Sequence, residues 1–174
     1  MRFFLLPFLL FSFVFACELP HEEVGGYKIG CPHEGNGVLK NEEEQDKNVQ
    51  VFEEKLDGSF FEHVEISVLN GNIEGLIFRK TYTDVGDLVT DQLSTLSSLG
   101  DRWGDYEIFG SDTMQTYMFE NPNSDVLNEV TVMSLFMPSI SSINVIYESK
   151  KLNEYNTNKT GLEMKNRKKQ LEGF

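Results

Sequence analysis

The residues of this chain best suited to bind a metal are two cysteines and two histidines near its start, at Cys17, His21, Cys31 and His33. Thiolate and imidazole are good ligands for zinc or copper, and four of them can close a tetrahedral site. The spacing matches no standard zinc finger, and both cysteines have alternative uses. The cluster is therefore a weak metal candidate, and we expect no cofactor.

The first alternative use concerns export. In residues 1–16 the basic Arg2 is followed by an apolar run broken only by Ser12, which predicts a secretory signal peptide cleaved after Ala16. The run is shorter than the roughly 20 apolar residues that a membrane-spanning helix needs. The residues before Cys17 also resemble a bacterial lipobox. That resemblance implies that Cys17 becomes a lipidated N-terminus, which would tether the protein to a membrane.

The second alternative use is a disulfide between Cys17 and Cys31, the only cysteines of the chain. An isolated pair in an oxidising compartment is typical of a disulfide. Closing a loop of about fifteen residues would stabilise the fold by roughly 3 kcal/mol. Cys17 cannot both form a disulfide and carry a lipid. The sequence does not decide between these two uses, and both stay open. Each predicts an exported protein, either periplasmic, held at the cell envelope or secreted.

No motif predicts a catalytic nucleophile. The chain has no Gly-x-Ser-x-Gly sequence. Ser111 lies in a predicted turn without a histidine nearby, and all three histidines (His21, His33 and His63) fall in the first third of the chain. We assign no catalytic residue.

Charge is distributed unevenly along the chain. The formal net charge is −13, but residues 150–174 carry seven basic and three acidic side chains, a balance of +4. Since Arg2 is the only charge in 1–16, residues 17–149 carry −18. A field of this sign repels nucleic acid and anionic lipid and attracts basic proteins. We therefore expect a basic envelope or extracellular protein as partner, no nucleic acid, and membrane contact only through an N-terminal lipid.

The length fits one domain, because removing residues 1–16 from the 174 leaves 158. Residues 17–48 are polar and glycine-rich and predict a leader or loop, with one short strand at 27–29. Residues 49–149 predict the folded domain. Residues 150–174 predict a basic tail, for which a C-terminal helix is one option.

Periodicity predicts the elements of that domain. Residues 64–68 alternate between apolar and polar, and Asn70-Gly71 separates them from a second strand at 73–77, which indicates a β-hairpin. A helical apolar stripe follows, with Asp84 as N-cap and Gly100 as the residue after its end. The stripe comprises Val85, Leu88, Val89, Leu93, Leu96 and Leu99.

Four further strands are predicted after the helix, at 106–109, 114–120, 126–137 and 143–147. Strands, then a helix, then an antiparallel meander predict an α+β fold with one amphipathic helix packed on one face of an antiparallel sheet.

Three functions are compatible with this layout. The first is a non-catalytic binding or inhibitor-type protein of the bacterial envelope whose acidic surface captures a basic partner. The alternatives are a secreted or periplasmic hydrolase, which requires a cleft with converging titratable groups, and a structural envelope lipoprotein. An exposed sheet edge or apolar patch would favour the last of these.

Overall fold

The fold is described by a computed structural model, which covers residues 17–172 except 18, 36, 41–47, 121 and 138, and which covers the backbone alone from 166 onward. The predicted signal peptide at 1–16 lies outside the described residues. Ten strands and two helices are present in the described part of the chain. In order they are β1 (Glu22–Val24), β2 (Tyr27–Ile29), β3 (Val38–Leu39), β4 (Val49–Lys55), β5 (His63–Leu69), β6 (Asn72–Tyr82), α1 (Val85–Trp103), β7 (Glu107–Ser111), β8 (Met114–Glu120), β9 (Leu127–Leu135), β10 (Ser141–Ser149) and α2 (Lys150–Glu172).

Eight strands form one antiparallel sheet in the order β3-β4-β5-β6-β10-β9-β8-β7. The hairpin of β5 and β6 is confirmed, and both of its turn residues, Asn70 and Gly71, have positive φ as that turn requires. After α1 the chain re-enters the sheet at the far edge and returns strand by strand, so that β10 closes against β6 in the middle. The predicted α+β class is confirmed.

Helix α1 starts where the sequence predicts. The Asp84 carboxylate accepts hydrogen bonds from the backbone N–H groups of Gly86 (2.6 Å) and Asp87 (3.2 Å), which satisfies donors that the first helical turn leaves free. The predicted end at Gly100 is wrong. The helix continues for another turn because the Trp103 side chain is buried in the core, and Gly104, with φ of 89°, follows its last residue.

One face of the sheet carries the core. Cross-strand partners share a face, so Phe78, Val145 and Val132 form one apolar row across β6, β10 and β9. Helix α1 lies over this face, and its buried side chains are Leu88, Gln92, Leu96, Leu99 and Trp103.

The segment predicted as a polar leader is more ordered than its composition indicates. Strand β2 coincides with the short strand predicted at 27–29, and it pairs with β1. Val24 and Ile29 of this small hairpin are buried in the core. Backbone hydrogen bonds of 2.7 and 2.8 Å join Gly30 and Cys31 to Ile73 of β6, so the hairpin belongs to the domain.

The basic tail forms helix α2, which agrees with the C-terminal helix that the sequence analysis gave as one option. Leu152 is buried near its start, and the Asn156 side chain donates to Glu148 of β10 at 2.9 Å. Residues 156–160 and 162–165 are exposed. Among the described residues, neither helix contains a stretch long and apolar enough to cross a membrane.

Candidate functional site

The two cysteines form a disulfide in the structure. The Cα atoms of Cys17 and Cys31 lie 5.7 Å apart, and Cys31 is buried beside the β1–β2 hairpin. In this form Cys17 has no thiol to accept a lipid, and neither cysteine offers a thiolate to a metal. A disulfide is typical of an exported protein.

The four predicted metal ligands do not form one cluster. Potential ligand atoms of Cys17, His21 and Cys31 lie within 4.8 Å of one another, but both sulfurs are already bonded. The His21 ring is held by a 3.0 Å hydrogen bond between its Nδ1 and the Leu19 carbonyl oxygen. His33 instead packs on Phe52, with ring centroids 4.4 Å apart.

The strongest candidate site lies on the core side of the sheet, beside α1. Helix α1 is too narrow to cover the strands at the β7 end, and a groove remains between the helix and the β7–β8 hairpin. We call it the α1–β8 groove. Its lining residues are Val89, Gln92, Leu93, Asp112, Gln115, Tyr117 and Phe136.

The helical wall of the groove is apolar and exposed. At 3.6 residues per turn, Leu93 lies about 140° around the helix from Leu88, so one flat sheet cannot bury both side chains. The structure buries Leu88 completely and leaves Leu93 63 % exposed and Val89 40 % exposed. The prediction that the whole apolar stripe lies on the sheet is therefore wrong for Val89 and Leu93, as it is for Val85 at the helix start, which is 51 % exposed.

The floor of the groove is polar but neutral. The Gln92 side chain donates to the Tyr117 hydroxyl at 2.6 Å, and that hydroxyl donates to the Gln115 carbonyl oxygen at 2.7 Å. Burial raises the pKa of the Tyr117 hydroxyl, so it stays protonated at physiological pH. These three side chains support one another and carry no charge.

Strand β7 extends the apolar surface beyond the groove. Ile108 is the cross-strand partner of Tyr117 and therefore lies on the same face, where it is 64 % exposed. Tyr106 precedes β7, and its ring contacts those of Tyr117 and Phe119 at centroid distances of 5.5 and 5.2 Å. Phe109 points to the opposite face of the sheet and is also exposed.

Four exposed carboxylates lie at or near β7 in the chain: one near the end of α1, one just before β7, one at its first residue and one just after its end. We call them the acidic rim. Within the described residues, none of the four has an ion-pair partner, so their negative field is uncompensated. They are Asp101, Asp105, Glu107 and Asp112.

The groove is lined mainly by apolar and neutral polar side chains. The titratable side chains of the groove are Asp112 and Tyr117, and the described residues that line it include no histidine, cysteine or serine. Ser111 lies at the end of β7, where its hydroxyl contacts that of Thr113 at 3.2 Å. His63 lies on β5, with its Nδ1 3.7 Å from a Glu53 carboxylate oxygen.

Sequence reasoning missed this site. The signal that could have found it was the width of the helical stripe, because Val89 and Leu93 make it broader than one packed face needs. The carboxylates were counted in the overall charge, but their position beside an edge strand depends on the strand order. No protein-family model matches the chain, and no curated protein and no solved structure resembles it significantly.

Proposed function

We propose that the protein is an exported, non-catalytic binding protein of the bacterial envelope that captures a basic polypeptide at the α1–β8 groove and the acidic rim. The predicted signal peptide and the disulfide support export to the periplasm, to the envelope or beyond the cell. One observation carries the proposal: the exposed apolar surface adjoins Asp112, which lines the groove, and Glu107, which precedes Ile108, and the described residues provide neither carboxylate with an ion-pair partner.

The two parts of the site have different roles. Leu93, Val89 and Ile108 would bury apolar side chains of the partner, which supplies affinity. The acidic rim would attract lysine and arginine side chains, which supplies specificity and faster association. An inhibitor or immunity-type protein that binds a basic cell-wall enzyme would use such a surface.

The proposal is tested with a defined probe. A fluorescent peptide of alternating Lys and Val, about eight residues long, is titrated with the protein, and its anisotropy is followed. We expect binding that weakens about tenfold between roughly 0.05 and 0.5 M NaCl, because salt screens the rim. A peptide of alternating Glu and Val should not bind.

Paired variants locate the site. The double substitution Asp105→Asn with Asp112→Asn should weaken binding about tenfold or more at low salt. The matched control, Glu34→Gln with Asp57→Asn, removes the same charge from exposed positions away from the groove. Equal losses in both variants would mean that the peptide responds to net charge alone, and the proposed site would then be wrong.

The exposed β7 edge also favours a second function, that of a structural component in an envelope assembly. Permanent assemblies bury larger and more apolar interfaces than transient complexes do. Such a function predicts that the native complex survives high salt, whereas capture by the acidic rim predicts dissociation.

A further inference from the structure

We propose that the partner binds by strand addition, with an extended basic segment of another protein pairing its main chain along the outer edge of β7. This inference rests on the proposed function, since it specifies how a basic polypeptide would bind at Ile108 and the acidic rim, next to the α1–β8 groove. It names the partner by chemistry: an extended segment in which basic and apolar residues alternate.

The first argument is the state of the β7 edge. Strand β7 pairs with β8 along its whole length, and it is the last strand of the sheet. All five of its residues are exposed. An uncovered edge presents a row of unpaired N–H and C=O groups, and proteins normally protect it with lysine, proline or a very short strand. Strand β7 has neither lysine nor proline, and its one charged residue, Glu107, repels an acidic strand but not a basic one.

The second argument is the position of the side chains. In a strand, successive side chains point to opposite faces, so Ile108 faces the groove and Phe109 faces away from it. A strand added beside β7 would place alternate side chains next to Ile108, on the face that also carries Tyr117. Its remaining side chains would lie beside Phe109 and Glu107, within reach of the acidic rim. Alternating apolar and basic residues match this arrangement.

The third argument excludes a second copy of this chain as the occupant. Antiparallel edge-to-edge pairing of two β7 strands would bring Asp112 of each copy close to Asp105 and Glu107 of the other. Like charges brought together across strands destabilise a pair. The basic part of this chain, residues 150–174, is helical through Glu172 and does not offer an extended strand. The charge at β7 therefore favours an extended basic segment of a different protein as the strand that pairs with this edge.

The test uses the intact, disulfide-bonded protein and two modified probes. Both probes are the peptide of alternating Lys and Val. One is N-methylated at every Lys, and the other is N-methylated at every Val. N-methylation removes backbone donors from a single edge of the peptide and leaves its side chains and charge unchanged.

We expect one methylated peptide to lose binding about tenfold or more and the other to bind like the unmodified peptide. Equal binding by all three peptides would overturn strand addition and leave the proposed function intact, with side chains alone filling the groove. No binding by the unmodified peptide would overturn both. Sedimentation of the protein without peptide at about 0.5 M NaCl, where charge repulsion is screened, is a further check. A dimer that forms in the wild type and is lost in Phe109→Lys would show that a second copy occupies the β7 edge, which would overturn the proposal.

Discussion

The two edges of the sheet differ in how they are protected. Strand β3 is two residues long, and the next residue, Lys40, lies 2.8 Å from a carboxylate oxygen of Glu65. Arg79 contacts the same carboxylate at 3.1 Å. Strand β7 is longer, is fully exposed and is flanked by carboxylates for which the described residues provide no cation. One edge is short and electrostatically compensated, while the other is open and negatively charged.

This difference indicates where the protein can accept a partner. At the β3 edge, the two residues of β3 pair with β4, and Lys40 beside them forms ion pairs with Glu53 and Glu65. The open β7 edge offers unpaired backbone N–H and C=O groups and lies near carboxylates of one sign. Four of the 25 acidic residues in 17–149 lie at or near β7 in the chain, and the described residues provide them with no ion-pair partner.

The largest expected effect comes from distorting β7. Gly110 has φ of 124°, and a Cβ atom there would overlap the Met114 carbonyl oxygen across the hairpin. We expect Gly110→Ala to lower the free energy of unfolding by about 3 kcal/mol and to abolish peptide binding. Urea denaturation measures the first effect.

Gly58→Ala is the matched control for that variant. Gly58 also has positive φ, at 73°, but a Cβ atom there would have no atom of the described residues within 4 Å, its chain neighbours aside. We expect a cost of about 1 kcal/mol from backbone strain alone. Equal costs at the two positions would show that the β7–β8 hairpin is not tightly packed.

The next effect concerns a carboxylate that has a partner. The Asp91 carboxylate accepts hydrogen bonds from the Lys80 ammonium at 2.7 Å and the Tyr82 hydroxyl at 2.9 Å, and these hold its pKa below the usual 3.8. A lowered pKa stabilises the fold above pH 3.8, and this contribution is lost as the pH falls through the pKa of the folded state.

Asp91→Asn should therefore lower the free energy of unfolding by about 1–2 kcal/mol at pH 7. The difference from the wild type should shrink as the pH falls below 3.8 and through the lowered pKa of the folded state. Asp101→Asn, at a rim carboxylate, is the comparison, and we expect a change within about 0.5 kcal/mol. A similar loss in both variants would contradict the distinction between paired and unpaired carboxylates.

A smaller effect is expected at the compensated edge. Glu65→Gln removes the carboxylate that Lys40 and Arg79 share. Because both cations are substantially exposed, we expect a loss of less than about 1 kcal/mol, which should shrink further in high salt. Thermal unfolding at two salt concentrations measures it, and a loss that grows with salt would be inconsistent with an ionic origin.

The smallest effect is expected at the acidic rim. Neutralising Asp105 and Asp112 should raise stability by about 0.3 kcal/mol, because fewer like charges repel one another in the folded state. Thermal melts of this double variant and of the wild type at low salt measure the change. A loss above about 1 kcal/mol would mean that these carboxylates stabilise the fold, and the rim would then be structural.

The sequence predicted local structure better than it predicted the site. Alternation and the Asn70-Gly71 turn were sufficient for the β5–β6 hairpin, because neighbouring residues determine it. The Asp84 cap was predictable for the same reason. Burial of the β1–β2 hairpin was not, since a short apolar set in a polar segment gives a weak pattern, and its contacts with β6 are distant in sequence.

The site depends on strand order, which no local pattern specifies. The position of β7 at an edge follows from β10 pairing with β6, a contact between residues far apart in the chain. The exposure of Leu93 depends on how α1 is rotated on the sheet. In the absence of that packing, an exposed leucine and a core leucine look the same in the sequence.

Hydrogen exchange at β7 tests the central claim most directly. The intact protein is measured by mass spectrometry with and without a saturating amount of the peptide of alternating Lys and Val. Strand addition predicts slower exchange of the backbone amides in Glu107–Ser111, with Val38–Leu39 at the other edge unchanged. Bound peptide without any protection of Glu107–Ser111 would contradict the account.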